Sequence, residues 1–408
     1  MKLKIIILVC SACLLISCIR QSPQDQLSSN QLEWVLGSDG SGQPHFSKLG
    51  KDRLLLNWMQ PNGDSMELVY SIVGPDLLWT QPSPIVQGDN WFVNWADLPS
   101  VVPITENIWV THWLEYQEDY AGYDILFSIT KDAGNNWSDP RLLNEDDLPA
   151  EHGFVEIFPN GNGFSMLWLD GRRYVADQAS DLTMGATLRQ ASFSFDGERL
   201  NESILDQFVC DCCQPDVAQM NNMTYVAYRD RTENEIRDIV MLANKDHGEW
   251  SDPINLPADN WQISGCPING PALALSEEGA GVVWFSAKND EPQIRFAFKQ
   301  HNSDLFLSNV ILEEYAPWGY VDIVYDEIND QFILSWLRDG ESGLQLVARS
   351  VDQLGNINQE VIIFENKLAY PLDFPKIEIV GHYLLASWTD FTSGMRIKSR
   401  AVELENLK

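Results

Sequence analysis

Short apolar stretches that end in an aromatic residue recur along this chain at a spacing of roughly 55 residues. There are seven of them, at residues 54–58, 108–113, 164–168, 224–228, 281–284, 332–336 and 383–388. A polar loop follows each, and then usually another apolar strand such as 124–129 or 345–349. Alternation of apolar and polar positions is frequent, and the helical spacing i, i+3, i+4 is not sustained anywhere. The pattern predicts an all-β protein built from four-stranded meanders.

Repeats of this size and strand content are typical of the blades of a β-propeller, which surround a central axis. We therefore predict one domain of seven blades at residues 31–408. The last repeat ends soon after Val402 and lacks an outer strand. Residues 32–36 precede the first full blade, so they are predicted to supply that strand and close the ring.

Residues 130–137 contain a self-contained turn motif made of Thr130, Asp132, Gly134 and Trp137. The Asp side chain can accept hydrogen bonds from the turn backbone, and the Gly can take a positive φ. The Trp can pack under the hairpin. Partial copies occur at 245–250, which is one residue short, and at 350–355, which lacks the Trp. These turns should lie on the face opposite the funnel loops, so a purely structural role is expected.

This motif is an Asp-box, and its recurrence resembles the repeat of the sialidase superfamily. The resemblance covers roughly residues 30–408. It implies a propeller that acts on a glycan in its central funnel, and it makes a six-bladed ring the alternative to seven blades. Sialidases use an Arg trio, a Tyr nucleophile paired with Glu, and an Asp acid. Their early Arg-Ile-Pro motif is absent here, so no catalytic residue is carried over.

The N-terminus has the features of a bacterial lipoprotein signal. An apolar run at 5–16 follows two lysines, and a lipobox at 15–18 ends in Cys18. We predict that residues 1–17 are a signal peptide, that Cys18 is lipidated, and that 18–30 form a flexible tether. Several acyl chains would hold the protein stably on a membrane. The expected location is the cell envelope, at the outer membrane or periplasm. The alternative is an ordinary cleaved signal peptide with an incidental Cys.

Four cysteines remain after the signal is removed and Cys18 is lipidated: Cys210, Cys212, Cys213 and Cys266. An even number in an exported protein favours two disulfides, with three connectivities open, including a vicinal Cys212–Cys213 bridge. Residues 210–213 and 266 belong to successive loops between blades, so a bridge across the funnel rim is expected. The alternative is a thiolate site for zinc or a softer metal ion.

The formal net charge of −32 excludes nucleic acid and anionic lipid as partners over most of the surface, because binding either needs a basic face. An anionic substrate would need a local pocket of arginines. The protein is expected to be a monomer that binds a glycan or another small ligand.

The loops that face the predicted funnel contain most of the candidate chemistry, and we predict a functional site there in the sector of blades two to four. The acid and base candidates are Asp97, Glu151, His152, Asp170 and Asp230. The substrate-binding candidates are His112, Tyr123, Arg172, Arg173, Arg229, Arg231 and Asn269. Two carboxyl groups facing each other could act as a glycosidase pair, and one carboxyl group with a Tyr or His could abstract a proton in a lyase.

Two alternatives apply to these candidates. The arginines could bind a carboxylate or sulfate in pairs, or they could form salt bridges that fix the loops, Arg172 with Asp170 and Arg229 or Arg231 with Asp230. The histidines His112 and His152 could be hydrogen-bonded structural residues. They could otherwise join the Cys loop in a metal-dependent site.

The leading hypothesis is an exported, membrane-anchored, sialidase-like propeller that binds an extracellular, anionic glycan at its funnel. If it is an enzyme, the expected reaction is that of a glycoside hydrolase of the exo-sialidase kind or of a polysaccharide lyase. The alternatives are a non-catalytic binding or scaffold lipoprotein and a metal-dependent site at His112, His152 and the Cys loop. No cofactor is expected other than a metal ion in that last case.

Overall fold

A computed structural model shows seven four-stranded antiparallel sheets arranged as the blades of a propeller. It describes residues 32–117, 122–176, 185–257, 259–301, 303, 305–367, 373–392 and 394–408. The predicted signal peptide, the lipidation site Cys18 and the tether lie outside the described residues. The prediction of seven blades is confirmed, and the six-bladed alternative is wrong.

The strands follow one another along the chain, and within each blade the first strand lies innermost. The first blade comprises β2 (Gly42–Leu49), β3 (Arg53–Asn62), β4 (Ser65–Val73) and β5 (Ser83–Gly88). The second comprises β6 (Val101–Pro103), β7 (Trp109–Tyr116), β8 (Tyr123–Thr130) and β9 (Arg141–Leu142). The third comprises β10 (His152–Asn160), β11 (Gly163–Asp170), β12 (Ala186–Ser194) and β13 (Arg199–Val209).

The fourth blade comprises β14 (Asp216–Met220), β15 (Met223–Arg229), β16 (Ile239–Lys245) and β17 (Ile254–Asn255). The fifth comprises β18 (Ala272–Leu275), β19 (Gly279–Ser286), β20 (Gln293–Gln300) and β21 (Phe306–Glu313). The sixth comprises β22 (Pro317–Asp326), β23 (Gln331–Asp339), β24 (Leu344–Val351) and β25 (Ile357–Asn366). The seventh comprises β26 (Lys376–Val380), β27 (Tyr383–Asp390), β28 (Arg396–Glu403) and β1 (Leu32–Val35).

The described helices are short: an α-helix, α1 (Arg173–Ala176), and 3₁₀ turns at Lys288–Asp290 and Leu404–Leu407. Within the described part of the chain, no helix has the length and apolar character needed to cross a membrane.

The ring is closed by pairing the two ends of the propeller domain. Strand β1 runs antiparallel to β28, with Leu32 opposite Ala401 and Val35 opposite Lys398. The N-terminal segment therefore supplies the outer strand of the last blade, as predicted for residues 32–36. Because β28 would otherwise be an unpaired sheet edge, this pairing removes a site of edge-to-edge association.

The recurring aromatic residues lie on the second strand of each blade and form its core. Six of them are at most 2% exposed: Trp58, Trp113, Trp168, Tyr228, Trp284 and Trp336. Full burial of one large apolar side chain contributes about 1.5–3 kcal/mol. Several of the indole N–H groups also donate to carboxylates, as Trp168 does to Asp170 Oδ2 at 2.8 Å. The aromatic residue that recurs in the sequence therefore marks the packed core of each blade.

The turn at 130–137 has the internal bonding that its sequence predicts. Asp132 Oδ1 accepts from the backbone N–H of Asn136 at 2.8 Å and from the Thr130 hydroxyl at 2.8 Å. Hydrogen bonds, first from the Asn136 side chain, lower the pKa of Asp132. Gly134 has φ +86°, and a Cβ there would lie 2.4 Å from the Tyr70 hydroxyl. The polar groups of this turn form hydrogen bonds with one another, which fits a structural role.

Candidate functional site

A cavity of about 520 Å³ opens on the face where the loops between blades lie. We call it the funnel cavity. The residues of its wall that carry the argument are Tyr123, Glu151, Phe154, Tyr174, Asp211 and Cys212. They come from blades two and three and from the loop that leads into blade four. The cavity lies in the sector of blades two to four, and Tyr123 and Glu151 are the two sequence candidates that line it.

Tyr174, Asp211 and Arg231 form a connected group at the wall of the funnel cavity. The Tyr174 hydroxyl donates to Asp211 Oδ2 at 2.6 Å, and Arg231 Nη1 lies 3.3 Å from the Tyr174 oxygen. Glu235 holds Arg231 by a 2.6 Å ion pair. Burial and the hydrogen bond to Asp211 raise the pKa of Tyr174, so the phenol stays protonated at neutral pH.

Sequence reasoning missed Tyr174 and Asp211. The available signals were that Tyr174 directly follows the Arg pair at 172–173 and that Asp211 lies between two cysteines.

Asp97 lies directly behind the cavity wall. Its Oδ2 accepts from the backbone N–H of Phe154 at 2.8 Å, and a Cβ on Gly153 would come within 2.0 Å of that oxygen. Burial raises the pKa of Asp97 to about 7. Tyr123 is stacked on Phe92 at 4.1 Å between ring centres. Burial and then the charge of Asp97 raise the pKa of the Tyr123 phenol. Asp97 therefore supports the wall from beneath and does not line it.

His152, Asp170 and Arg172 belong to a network that fixes the loops beside the cavity. The buried His152 has Nε2 at 3.0 Å from Asp146 Oδ2 and Nδ1 at 3.1 Å from the Tyr123 carbonyl oxygen. Arg172 forms two hydrogen bonds to Asp170, at 2.7 and 2.6 Å. Burial alone would raise the pKa of Asp170, but the bonds from Arg172 and the nearby His152 lower it.

Donor atoms of Asp146, His152 and Asp170 lie within 4.8 Å of one another, the spacing of a metal site. However, Arg172 Nε is 2.8 Å from Asp146 Oδ2 and also bonds Asp170. The guanidinium group therefore occupies the position that a cation would need. This set does not fit a metal ion.

The arginine clamp, one of the two alternatives considered from sequence, is not formed in the described structure. The buried Arg229 donates to backbone carbonyl groups only, to Asn269 at 3.0 and 2.8 Å, to Arg237 at 2.6 Å and to Phe285 at 2.8 Å. Asn269 in turn binds the backbone around Trp318 and Tyr320. Both side chains join loops of blades four, five and six, which is a structural role.

The remaining arginine candidates and Asp230 are also engaged locally. Arg173 donates to the Gln207 carbonyl oxygen. Asp230 accepts from the backbone N–H of Arg231 at 2.8 Å and forms no side-chain ion pair with it in the described structure. Burial raises the pKa of Asp230 to about 6. Of the salt bridges considered from sequence, the one between Arg172 and Asp170 is present.

His112 is a buried residue of β7, the second strand of its blade. Its Nδ1 lies 3.0 Å from the Ser100 hydroxyl, and burial lowers its pKa to about 3. His112 and His152 thus have separate partners, which favours the structural reading of both and does not support the metal-dependent alternative.

The four cysteines in the described part of the chain form one disulfide, between Cys212 and Cys266. It joins the loops after blades three and four, as expected. Cys210 and Cys213 are buried thiols whose sulfurs lie 3.3 Å apart, so the second predicted disulfide is not formed and the vicinal bridge is wrong. The hydrogen bond with Cys213 lowers the pKa of Cys210 to about 6. Arg237, whose Nη1 donates to the Cys210 sulfur at 3.2 Å, acts in the same direction.

The sulfurs of Cys210, Cys212 and Cys213 lie within 4.8 Å of one another. Because Cys212 is bonded to Cys266, only two thiolates of this group could bind a soft metal ion.

A second cavity of about 310 Å³ lies on the propeller axis and was not predicted. Lys376 faces three carboxyl groups there, from Glu156, Asp216 and Asp322 on other inner strands. Burial raises the pKa of Asp216 to about 7, and the pKa of Glu156 is raised too. For Lys376, burial alone would lower the pKa, but the three carboxyl groups raise it. The cluster compensates charge inside the ring.

No protein-family model and no curated protein matches this chain. Solved structures do resemble it. A Penicillium chrysogenum α-L-arabinanase complexed with arabinobiose has a TM-score of 0.51 at 11% identity, over 93% of this chain and 99% of that one. The polysaccharide lyase Uly1 has a TM-score of 0.53 at 8% identity, over 90% of each chain. A puromycin hydrolase has a TM-score of 0.50 at 12% identity, over 87% of this chain and 51% of that one.

At these identities the likeness concerns the fold. Two of the three proteins are by name glycan-degrading enzymes, so the chain has a propeller fold that is similar to that of enzymes acting on polysaccharides.

Proposed function

We propose that this protein is an exported propeller, anchored in the cell envelope through Cys18, that binds a neutral stretch of an extracellular glycan in its funnel cavity. The composition of the wall carries the proposal. It combines the carboxylates of Glu151 and Asp211 with the aromatic rings of Tyr123, Phe154 and Tyr174. Sugar hydroxyls donate to carboxylates, and aromatic rings pack against the apolar faces of sugars.

The charge of the wall decides between a neutral and an anionic glycan. No Lys or Arg is among the described residues that line the cavity. Arg231, which reaches the Tyr174 hydroxyl, is already paired with Glu235. An acidic sugar would therefore meet two carboxylates without a free cation, which is unfavourable in a partly desolvated site. The expectation of an anionic ligand is replaced by that of a neutral one. The arabinobiose bound by the arabinanase of the same fold is a ligand of this type.

An oligosaccharide array tests this assignment. We expect neutral oligosaccharides to bind and sialylated or uronate-containing ones not to bind. Glu151→Gln should weaken binding about tenfold or more, because a hydrogen bond to a charged group contributes about 1.5–3 kcal/mol. The matched control is Glu277→Gln, on an exposed position of blade five, which should bind as the wild type does. Selective binding of acidic oligosaccharides, or an unchanged affinity in Glu151→Gln, would contradict the proposal.

Cleavage of the bound glycan is a second candidate function, favoured by the 2.6 Å hydrogen bond between Tyr174 and Asp211. It resembles the pairing of a Tyr nucleophile with a carboxylate in sialidases, which are an exception to the usual pair of carboxylates. Asp211 would take the phenol proton as the Tyr174 oxygen attacks the anomeric carbon, and Arg231 would stabilise the phenolate. Glu151, in its protonated form, would donate a proton to the oxygen that leaves as the glycosidic bond breaks, and water would then attack the glycosyl–Tyr174 intermediate to release the sugar. The Arg trio of the family has no counterpart here.

Product analysis separates cleavage from binding. With the oligosaccharide that binds most tightly, the wild type should release new reducing ends, and Tyr174→Phe should bind it but show less than about 1% of the activity. If the wild type binds the oligosaccharide and releases no product, the protein is a binding lipoprotein and the cleavage assignment is wrong. An unsaturated product would instead identify a lyase and, because β-elimination needs a uronate, it would contradict the neutral ligand.

A further inference from the structure

Two buried thiols have no use in the proposed function. Cys210 and Cys213, which we call the inner pair, are each 1% exposed. Cys212 lies between them in the chain and forms the disulfide with Cys266. We call Cys212 and Cys266 the outer pair. A dithiol and a disulfide therefore lie side by side in the loops that follow blades three and four.

The inner pair is close enough to the disulfide to react with it. Cys210 Sγ lies 3.8 Å from Cys212 Sγ, an atom of the disulfide, and 3.3 Å from Cys213 Sγ. All three of these sulfurs lie within 4.8 Å of one another. A thiolate exchanges with a disulfide by attacking one of its sulfurs. Because the attacking and attacked sulfurs belong to the same loop, the reaction needs no access from solvent.

The surroundings of Cys210 favour the thiolate, which is the nucleophilic form of a cysteine. Arg237 Nη1 donates to Cys210 Sγ at 3.2 Å, and Glu235 holds the same guanidinium group at 2.9 Å. The hydrogen bond with Cys213 and the charges of Arg229 and Arg237 lower the pKa of Cys210. Burial raises the pKa of Cys213 instead. The two thiols are therefore unequal, and Cys210 is the one prepared to attack.

The outer pair, unlike the inner pair, is in contact with solvent. Cys266 is an exposed residue, and Cys212 is partly exposed and lines the funnel cavity. Transfer of the disulfide from the outer to the inner pair therefore buries the bridge and exposes two thiols. It also opens the link between the loops after blades three and four, next to Asp211 on the cavity wall.

We propose that the four cysteines are a site of internal thiol–disulfide exchange, which transfers the bridge from the outer pair to the inner pair. The Cys210 thiolate attacks Cys212 Sγ, so a bond forms between these two sulfurs. The bond from Cys212 to Cys266 breaks, and Cys266 leaves as a thiolate. Cys213 then loses its proton and attacks Cys210 Sγ, which releases Cys212.

The exchange is balanced without any external reactant. One disulfide is present before and after it, so no oxidant or reductant is consumed. One proton and one negative charge pass from the inner pair to the outer pair through solvent. The product presents a dithiol that reacts with electrophiles at the rim of the funnel cavity. This inference concerns the four sulfurs alone, and it stands whether or not the funnel cavity binds a glycan.

Alkylation of the native, unreduced protein with excess maleimide, followed by trypsin digestion, tests the exchange. Trypsin leaves the inner pair and Cys212 in peptide 200–229 and Cys266 in peptide 246–288. The resting protein gives these two peptides linked by the disulfide. We expect the linked form to disappear with time, as maleimide traps the exposed thiols. Peptide 246–288 should then carry one maleimide, and peptide 200–229 should carry one maleimide and an internal disulfide. Peptides that stay linked, whether maleimide modifies the inner pair or no cysteine at all, would overturn the proposal.

Two serine variants identify the attacking sulfur. Cys210→Ser lacks the nucleophile, so its two peptides should stay linked and Cys266 should stay unmodified. Cys213→Ser is the matched control, because it also removes one buried thiol but leaves the first step intact. It should release Cys266 and keep the new bridge between Cys210 and Cys212. Thermal unfolding checks that both variants fold, and the wild-type result does not depend on them. Release of Cys266 from Cys210→Ser, or no release from Cys213→Ser, would contradict the attack by Cys210.

Discussion

Replacing Asp97 by Asn should reduce the pH dependence of this protein's stability. Asp97 is 3% exposed, its Oδ2 has one hydrogen bond, from the Phe154 backbone, and its Oδ1 has no partner in the described structure. Burial raises the pKa of Asp97 from 3.8 to about 7. The folded state therefore keeps the proton through a pH range in which the unfolded chain releases it.

The direction of the effect follows from proton linkage. Between pH 4 and 7 Asp97 binds more protons in the folded than in the unfolded state, so its contribution to the free energy of unfolding falls as pH rises and becomes constant above about pH 7. One pKa unit corresponds to about 1.4 kcal/mol. Between pH 5 and pH 8, Asp97 alone should lower the stability of the wild type by about 2–3 kcal/mol. Asn cannot ionise, so the stability of Asp97→Asn relative to that of the wild type should rise by the same amount over this interval.

Denaturant unfolding at pH 5, 6, 7 and 8, followed by tryptophan fluorescence, measures this gain. Comparison across pH cancels any constant cost of burying the amide in the variant. Asp139→Asn, at an exposed position, is the control and should follow the wild type at every pH. A constant stability difference between Asp97→Asn and the wild type from pH 5 to pH 8 would refute the reasoning that burial holds this carboxyl group neutral.

Three further predictions concern the framework. Arg229→Ala should lower the free energy of unfolding by about 3–5 kcal/mol, because it leaves buried carbonyl groups unsatisfied. Its affinity for oligosaccharides should stay within about twofold of the wild-type value. Lost affinity with unchanged stability would instead show that Arg229 belongs to a ligand clamp. Deleting Leu32–Val35 should lower the melting temperature and cause association on gel filtration, because it exposes a strand edge; an unchanged melting temperature would show that the ring does not need this closure. Thiol labelling of the unreduced, denatured protein should modify Cys210 and Cys213 and leave Cys212 and Cys266 unmodified, and peptide mapping should show one crosslinked pair; labelling of all four of these cysteines, or of none of them, would contradict this pattern.

The sector in which the funnel cavity lies was predictable, but only some of the residues that line it were. The unusual residues of the loops at 95–97, 151–154 and 210–213 indicated the sector of blades two to four, and the funnel cavity lies there. The sequence could not show that Asp97 lies behind Gly153, because this depends on the packing of two blades. Nor could it show that the acidic partner of Tyr174 is Asp211, which is 37 residues away.

The shortened motif at 245–250 illustrates the same limit. Its sequence indicated a turn, which it forms. That Asn244 Oδ1 has no partner in the described structure, and that Trp250 donates to Gln190 of the neighbouring blade, follow only from the packing of the fold.

The sequence by itself determined the number of blades, the closure of the ring and the turns. These features depend on alternation along a strand, on one buried aromatic residue per repeat and on local turn bonding, all of which are periodic in the chain. The tertiary structure alone decided which polar groups are free to act. Arg229, for example, is identical in type to an arginine that binds substrate, but carbonyl groups of Asn269 and Phe285, 40 and 56 residues away, occupy its donors. A side chain's availability depends on partners that the fold brings from distant blades, and no local pattern records them.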